Sequence, residues 1–197
     1  MPRVSDEHLA ARRRQILDAA RRCFLAKGLH ATSMQDLVRE AGLSVGAVYR
    51  YFRSKEDIVS AIADEVVGSL DAALALDAAR QPPTLAEAIE HVLRTVDKQL
   101  GPDGMFPIAL QVWGESVTNP ALGEIIAQRY ATLRGRLHAL AERAVATGEL
   151  PPGTDPGATA AALLSLVPGY ALQRTLTGTP DLETYVAGVR TLLSRPA

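Results

Sequence analysis

Apolar residues return along this chain with the period of an α-helix, and the runs are cut by residues that end helices. Ile16, Ala20 and Phe24 recur every fourth position in a first helix expected over residues 9–27, and Gly28 closes it. Behind Ser33, a good N-cap, Met34, Leu37, Val38 and Ala41 fall at i, i+3, i+4 and i+7. Gly42 follows, a residue free to take the left-handed conformation that stops a helix. Ser44 opens a second short helix in which Val48 and Phe52 face the same way. Ser54 opens a third, with Glu56 and Asp57 in the first turn, where the helix dipole favours acids. Ile58, Ile62, Val66, Leu70 and Leu74 continue that stripe, expected to fade near Leu76. Two short helices joined by a turn with glycine match the helix-turn-helix pattern, whose second helix can enter a major groove.

The remainder is helical too. Q-P-P-T at 81–84 is a clear break and the expected seam between the larger units, and Thr84 caps a helix with the stripe Ala88, Val92, Val96 and Leu100. G-P-D-G at 101–104 breaks the chain again, before a segment over 105–117 carrying Phe106, Leu110, Trp113 and Val117. Asn119-Pro120 is a cap followed by proline at the first helical position. The helix it opens is expected to run to about Thr147, with Leu122, Ile126, Tyr130, Leu133, Leu137, Leu140 and Ala144 at near-heptad spacing. Asp155-Pro156 opens the next in the same way. This one is apolar almost all round (Ala158, Ala160, Ala161, Ala162, Leu163, Leu164, Leu166, Val167), so one side is expected against its own core and the other against a partner subunit. A last helix spans 182–193, after the break at Thr179-Pro180-Asp181. No strand alternation, internal repeat or low-complexity tract interrupts this. The expected fold is all-α with about nine helices: an N-terminal three-helix helix-turn-helix domain over 1–57 and a C-terminal helical bundle over 58–197. Helix four is shared between them.

Periodicity alone also allows an ordinary helical hairpin whose rings are core. The residues left over once that core is assigned tell against it. Tyr49, Arg50, Tyr51, Arg53 and Lys55 surround Val48 and Phe52, a set of cations and hydroxyl-bearing rings suited to phosphates, where a merely solvated face would mix in acids. The net charge of −1 does not by itself announce a nucleic-acid partner, but its distribution is uneven. Residues 1–57 hold 11 Lys and Arg against 7 Asp and Glu, and residues 58–197 hold 10 against 15. A basic first part on an acidic body is the modest asymmetry expected if only the first part meets phosphate. Arg12, Arg13 and Arg14 cluster on the first helix, usually a solvated arrangement that can also rest beside a DNA backbone. Residues 1–8 read as a frayed arm.

Other chemistry is sparse. Cys23 is the only cysteine, on the apolar side of the first helix, and reads as a small core residue. His8, His30, His91 and His138 are scattered, without metal-ligand spacing, and no phosphate-cradling or nucleophile motif is present, so no catalytic residue, metal or cofactor is expected. No apolar leader or membrane-length run occurs, and a soluble, cytoplasmic protein without membrane partners is expected. An all-α enzyme, or a helical adaptor without DNA binding, is the alternative class.

With T-S-M-Q-D-L at 32–37, A-G-L-S-V-G-A-V-Y-R-Y-F-R-S-K-E-D-I at 41–58 and I-L-D-A-A-R-R-C-F-L-A-K-G upstream at 16–28, the chain resembles the TetR family of transcriptional regulators. The resemblance is specific over about residues 10–65; beyond that, helical architecture and length agree. It implies a ligand-responsive regulator, most often a repressor, that binds a pseudo-palindromic DNA operator as a homodimer, with the C-terminal bundle serving dimerisation and a small-molecule effector. By position, Tyr49 and Lys55 are implied to hold phosphates, with Thr32, Ser33 and Tyr51 as further backbone contacts. Gln35, Val45, Gly46 and Ala47 stand where relatives face bases, and Arg50 is a plausible addition. Val45, Gly46 and Ala47 depart from more polar relatives in offering only methyls and bare backbone. For the effector, Phe106, Gln111, Trp113, Tyr130, Tyr170 and Gln173 are candidates, and each reads equally well as core. The low aromatic content favours an apolar or amphipathic ligand.

Overall fold

The structure is a computed structural model that describes residues 6–74, 83–101 and 103–193. Nine helices and no strand occur among the described residues: α1 (Asp6–Lys27), α2 (Met34–Ala41), α3 (Val45–Tyr49), α4 (Lys55–Leu74), α5 (Leu85–Asp97), α6 (Phe106–Ser116), α7 (Pro120–Ala146), α8 (Pro156–Thr177) and α9 (Leu182–Leu193). They make two compact units. One comprises Met1–Glu65 and Pro107–Ile126, the other Val66–Phe106 and Ala127–Ala197. The unit holding the helix-turn-helix therefore also takes in most of α6 and the first turns of α7.

In the first unit α1 presents a fully apolar side, Ile16, Leu17, Ala19, Ala20, Cys23 and Phe24, all buried. Leu37 and Ala41 of α2, Val48 of α3, Phe52 and Ile58, Val59, Ala61 and Ile62 of α4 are buried in the same unit. Each fully buried Leu, Ile or Phe there contributes about 1.5–3 kcal/mol of transfer free energy. Ion pairs lace the outside: Arg22 to Glu40 at 2.6 Å, Lys27 to Asp36 at 2.8 Å, and Arg21 to Glu65.

In the second unit Leu85, Ile89 and Leu93 of α5 cluster with Leu137 and Ala144 of α7, Ala160, Leu163 and Tyr170 of α8, and Val186 and Val189 of α9. The Tyr170 ring lies 4.9 Å from that of Tyr185, its hydroxyl bonds the Asp97 carboxylate, and the Tyr185 hydroxyl donates to the Leu166 carbonyl at 2.8 Å. Glu90 on α5 receives both Arg94 and Arg190, which ties α5 to α9.

Several sequence expectations shift. Residues 6–8, read as part of a frayed arm, are the first turn of α1, with Asp6 and Glu7 at the positive end of its dipole. The α5 stripe is wider than Ala88 and Val92: Leu85, Ile89 and Leu93 are buried as well, because α8 and α9 both pack on this helix. Leu100 lies past its end. Val117 follows the end of α6 and stands exposed. Cap-and-proline starts hold where expected: the Asp155 carboxylate accepts the Gly157 N–H at 2.7 Å with Pro156 opening α8. Of α8, Ala160, Leu163, Tyr170 and Ala171 are buried while Ala158, Ala161, Ala162, Leu172 and Leu176 are exposed. The expected fading of helix four near Leu76 and the start of Q-P-P-T lie outside the described residues.

Candidate nucleic-acid interface

The helix-turn-helix is built from caps. Ser33 closes a capping box: its hydroxyl oxygen accepts the Asp36 N–H at 3.2 Å, and the Asp36 carboxylate accepts the Ser33 N–H at 3.0 Å. The Lys27 ammonium beside it, with the Ser33 hydroxyl and N–H, holds the Asp36 carboxyl well below the usual carboxylate range. Gly42, at φ +63, ends α2 in the left-handed region. Ser44 then caps α3 by accepting the Ala47 N–H at 3.2 Å. After α3, the Arg53 N–H donates to Asp57 at 2.8 Å and the Asp57 N–H to Ser54 at 3.1 Å, which fixes the entry to α4.

This local geometry decides which way α3 faces. Val48 and Phe52 are buried at 0% and 4% exposure, and the Arg13 guanidinium covers the Phe52 ring at 5.5 Å. What remains outside is Val45 at 59%, Tyr49 at 44%, and Gly46 and Arg50, both exposed, with Ala47 and Tyr51 half-buried. Ser33 and Gln35 are exposed at the start of α2. Of the ten DNA-contact candidates only Thr32 is buried: its hydroxyl turns inward and donates to the Gly28 carbonyl at 2.7 Å. Lys55 is half-buried, its ammonium 2.7 Å from the Leu29 carbonyl. Cys23 is buried as expected; burial, followed by the charges of Glu40 and Asp36, pushes its thiol up and keeps it neutral.

Two glutamines that local pattern did not single out for this site hold it from outside. Gln15 on α1 reaches the end of α2, and Gln111 on α6 reaches the end of α1. Their partners lie 26 and 82 residues away, so no neighbouring residue betrays them.

The six effector candidates are not gathered within one unit. Gln111 and Trp113 belong to the first, Phe106, Tyr130, Tyr170 and Gln173 to the second. Gln111 has both amide atoms engaged, one with Phe24 of α1 and one with Leu29 in the turn after it, and Tyr170 is buried on Asp97. Gln173 is exposed, its amide on the Gly169 carbonyl, while Trp113 and Tyr130 are half-buried. Among the described residues no group of three or more His, Cys, Asp or Glu side chains could hold a metal ion, and no helix is long and apolar enough to cross a membrane.

A capped helix-turn-helix, with only helices besides it among the described residues, is an arrangement that DNA-binding transcriptional regulators use. Residues 16–62 match the tetR family of bacterial regulatory proteins, and residues 107–195 match the C-terminal part of BetI-type transcriptional repressors. The helix-turn-helix transcriptional regulator YfiR of Bacillus subtilis is 30% identical over 154 residues, which cover 77% of this chain and 74% of that protein. The chain belongs to the tetR family. The repressor Rv1474c of Mycobacterium tuberculosis is 49% identical over 65 residues, but these span only 33% of this chain and 35% of that protein. Salmonella enterica GusR shares the fold at a TM-score of 0.82, with 23% identity over 98% of this chain and 97% of that one. FadR from Bacillus subtilis, solved in complex with stearoyl-CoA, has a TM-score of 0.77 at 20% identity, covering 92% of this chain and 97% of that one.

Proposed function

We propose that this regulator is a ligand-responsive repressor that binds a pseudo-palindromic operator as a homodimer and is released from it by a small-molecule effector. The observation that carries the reading is the facing of α3. With Val48 and Phe52 in the floor, the helix turns Val45, Gly46, Tyr49 and Arg50 outward. Its first turn offers methyls and bare backbone, which permit close approach to a groove floor and suit thymine methyls better than guanine edges. Gln35 and Arg50 supply the hydrogen-bonding groups that Val45, Gly46 and Ala47 lack. Ser33, Tyr49, Tyr51 and Lys55 serve the phosphates, and Thr32 contributes by fixing the entry to α2.

The homodimer forms through α8 and α9, where Leu176 and Leu192 stand 70% and 77% exposed. A two-fold axis then sets two α3 helices on successive half-sites. The effector binds the C-terminal helices, with the half-buried Tyr130 as the candidate ring, and shifts the population away from the DNA-competent state. FadR's complex with stearoyl-CoA and the 5% aromatic content here favour an apolar or amphipathic ligand.

Selection of bound sequences from random duplex DNA tests the reading, with Tyr49→Ala and Lys55→Ala alongside. A recovered palindrome lost in both variants supports it. No enrichment even at low salt reduces the motif to a helical hairpin.

A further inference from the structure

The turn between α1 and α2 is gripped by side chains from two distant parts of the chain. Its Gly28–Leu29 peptide donates the Leu29 N–H to Gln111 Oε1 at 2.6 Å, and the carbonyl of that same peptide accepts the Thr32 hydroxyl at 2.7 Å. The following peptide presents the Leu29 carbonyl to the Lys55 ammonium at 2.7 Å. Gln111 Nε2 donates to the Phe24 carbonyl at 3.3 Å, the one that also receives the Gly28 N–H at 3.0 Å as α1 ends. Both functional atoms of the Gln111 amide are thus spent on one helix end, and the next peptide along is where Lys55 docks. Gln111, Leu29 and Lys55 all lie in the same compact unit.

An ammonium carries three protons, so a lysine that gives one to an internal carbonyl still has two for an outside acceptor. Held in that way, it has already lost the rotamer freedom that a loose surface lysine gives up on meeting a phosphate. The grip depends on the Leu29 carbonyl staying in place. That carbonyl sits in the six-residue connection, 28–33, between α1 and α2, and Gln111 anchors the peptide immediately before it.

We propose that Gln111 is a positioning residue for DNA binding: it fixes the 28–32 turn so that the Leu29 carbonyl holds Lys55 ready for a phosphate. The proposal rests on the reading of Lys55 as a phosphate contact. It makes one amide on α6 part of the reader's grip without placing that amide at the DNA.

A double-mutant cycle on the full chain tests this, with binding to a short duplex of random sequence measured across a salt series. Lys55→Met is expected to weaken binding and lower the salt slope by about one unit. Gln111→Met is expected to weaken binding about threefold, the scale of one hydrogen bond, and to move the slope in the same direction. Added to Lys55→Met, it should change neither quantity further. Should Gln111→Met fail to fold, as judged by its melting curve, Gln111→Asn, whose shorter amide falls short of Leu29, takes its place in the cycle. Wild-type affinity and slope in the Gln111 variant, or a loss that adds in full to that of Lys55→Met, overturns the inference and leaves Lys55 a phosphate contact. No effect from Lys55→Met overturns the phosphate assignment itself, and the inference with it.

Discussion

Gln15, on α1, donates its side-chain amide to the carbonyl of Ala41, the last residue of α2, at 2.8 Å. Its own carbonyl oxygen accepts the Arg12 guanidinium at 2.7 Å. The last carbonyls of a helix have no partner within it, and this one is supplied by the neighbouring helix just where Gly42 begins the turn into α3. The angle at which α3 leaves α2 is thereby tied to α1 as well as to the turn.

Gln15→Leu keeps most of the bulk and removes the bond. The expected cost is about 1 kcal/mol, the net value of one partly buried hydrogen bond. In urea this appears as a lower midpoint with an unchanged slope. A midpoint equal to that of the wild type would mean that solvent replaces the glutamine without loss.

Asp36 makes the fold sensitive to acid. Its carboxyl is more acidic folded than unfolded, through Lys27 first and then Ser33. A group shifted in this direction contributes stability that is complete above its unfolded value, near 4 for a carboxyl, and is lost as pH falls from there toward the folded value. Asp36→Asn removes the contribution at neutral pH. Its stability, followed by helical circular dichroism in denaturant at a series of pH values, should therefore fall less steeply than that of the wild type below about pH 4. Parallel curves would assign the acid sensitivity to other carboxylates.

Two glycines should respond oppositely to alanine. A methyl on Gly104 would run into the carbonyl group of Gln99, whose oxygen also accepts the Phe106 N–H at 3.2 Å. Gly104→Ala is expected to cost about 2 kcal/mol, because backbone rather than a pliable side chain has to move. A methyl on Gly135, inside α7, meets nothing within 4 Å. Gly135→Ala is expected to add about 0.8 kcal/mol through helix propensity. Thermal melts of the two variants should move to opposite sides of the wild type.

Leu176→Glu together with Leu192→Glu places charge on the exposed apolar positions of α8 and α9. If these cover each other's counterparts in a two-fold dimer, the mass in solution should drop to that of a monomer with helical content retained. Affinity for a palindromic site should then fall by more than tenfold, because two half-sites are no longer engaged together. A double variant that stays dimeric assigns the dimer to another surface.

How much of this was legible in the sequence follows the range of the interactions. Ser33, Gly42, Ser44 and Thr84 act on residues three or four positions away, so cap and breaker patterns located every helix of the head and most boundaries beyond it. The side of α1 that is buried was legible for the same reason: Ile16, Ala20 and Phe24 repeat at helical spacing. Tertiary packing was not. The α5 stripe widens to Ile89 and Leu93 because α8 and α9 both meet it, a fact that no property of residues 85–97 contains. Tyr170 and Gln111 have the composition of pocket residues, and only their partners, Asp97 for one and Leu29 with Phe24 for the other, reveal internal duties. Thr32 occupies a surface position by motif and an interior one by hydrogen bonding.

The chain passes between its two compact units three times, after residues 65, 106 and 126, and the middle stretch returns to the unit that contains α3. The helix-turn-helix therefore shares its compact unit with a stretch of chain far downstream. A fragment ending at residue 57 or 65 would leave the end of α1 without the amide of Gln111 and strip residues 107–126 from the core they complete. Exchange of heads between regulators of this kind, in the laboratory or by recombination, would have to carry two separate pieces of chain together. A graft taken at the obvious seam would deliver the recognition helix without part of its own foundation.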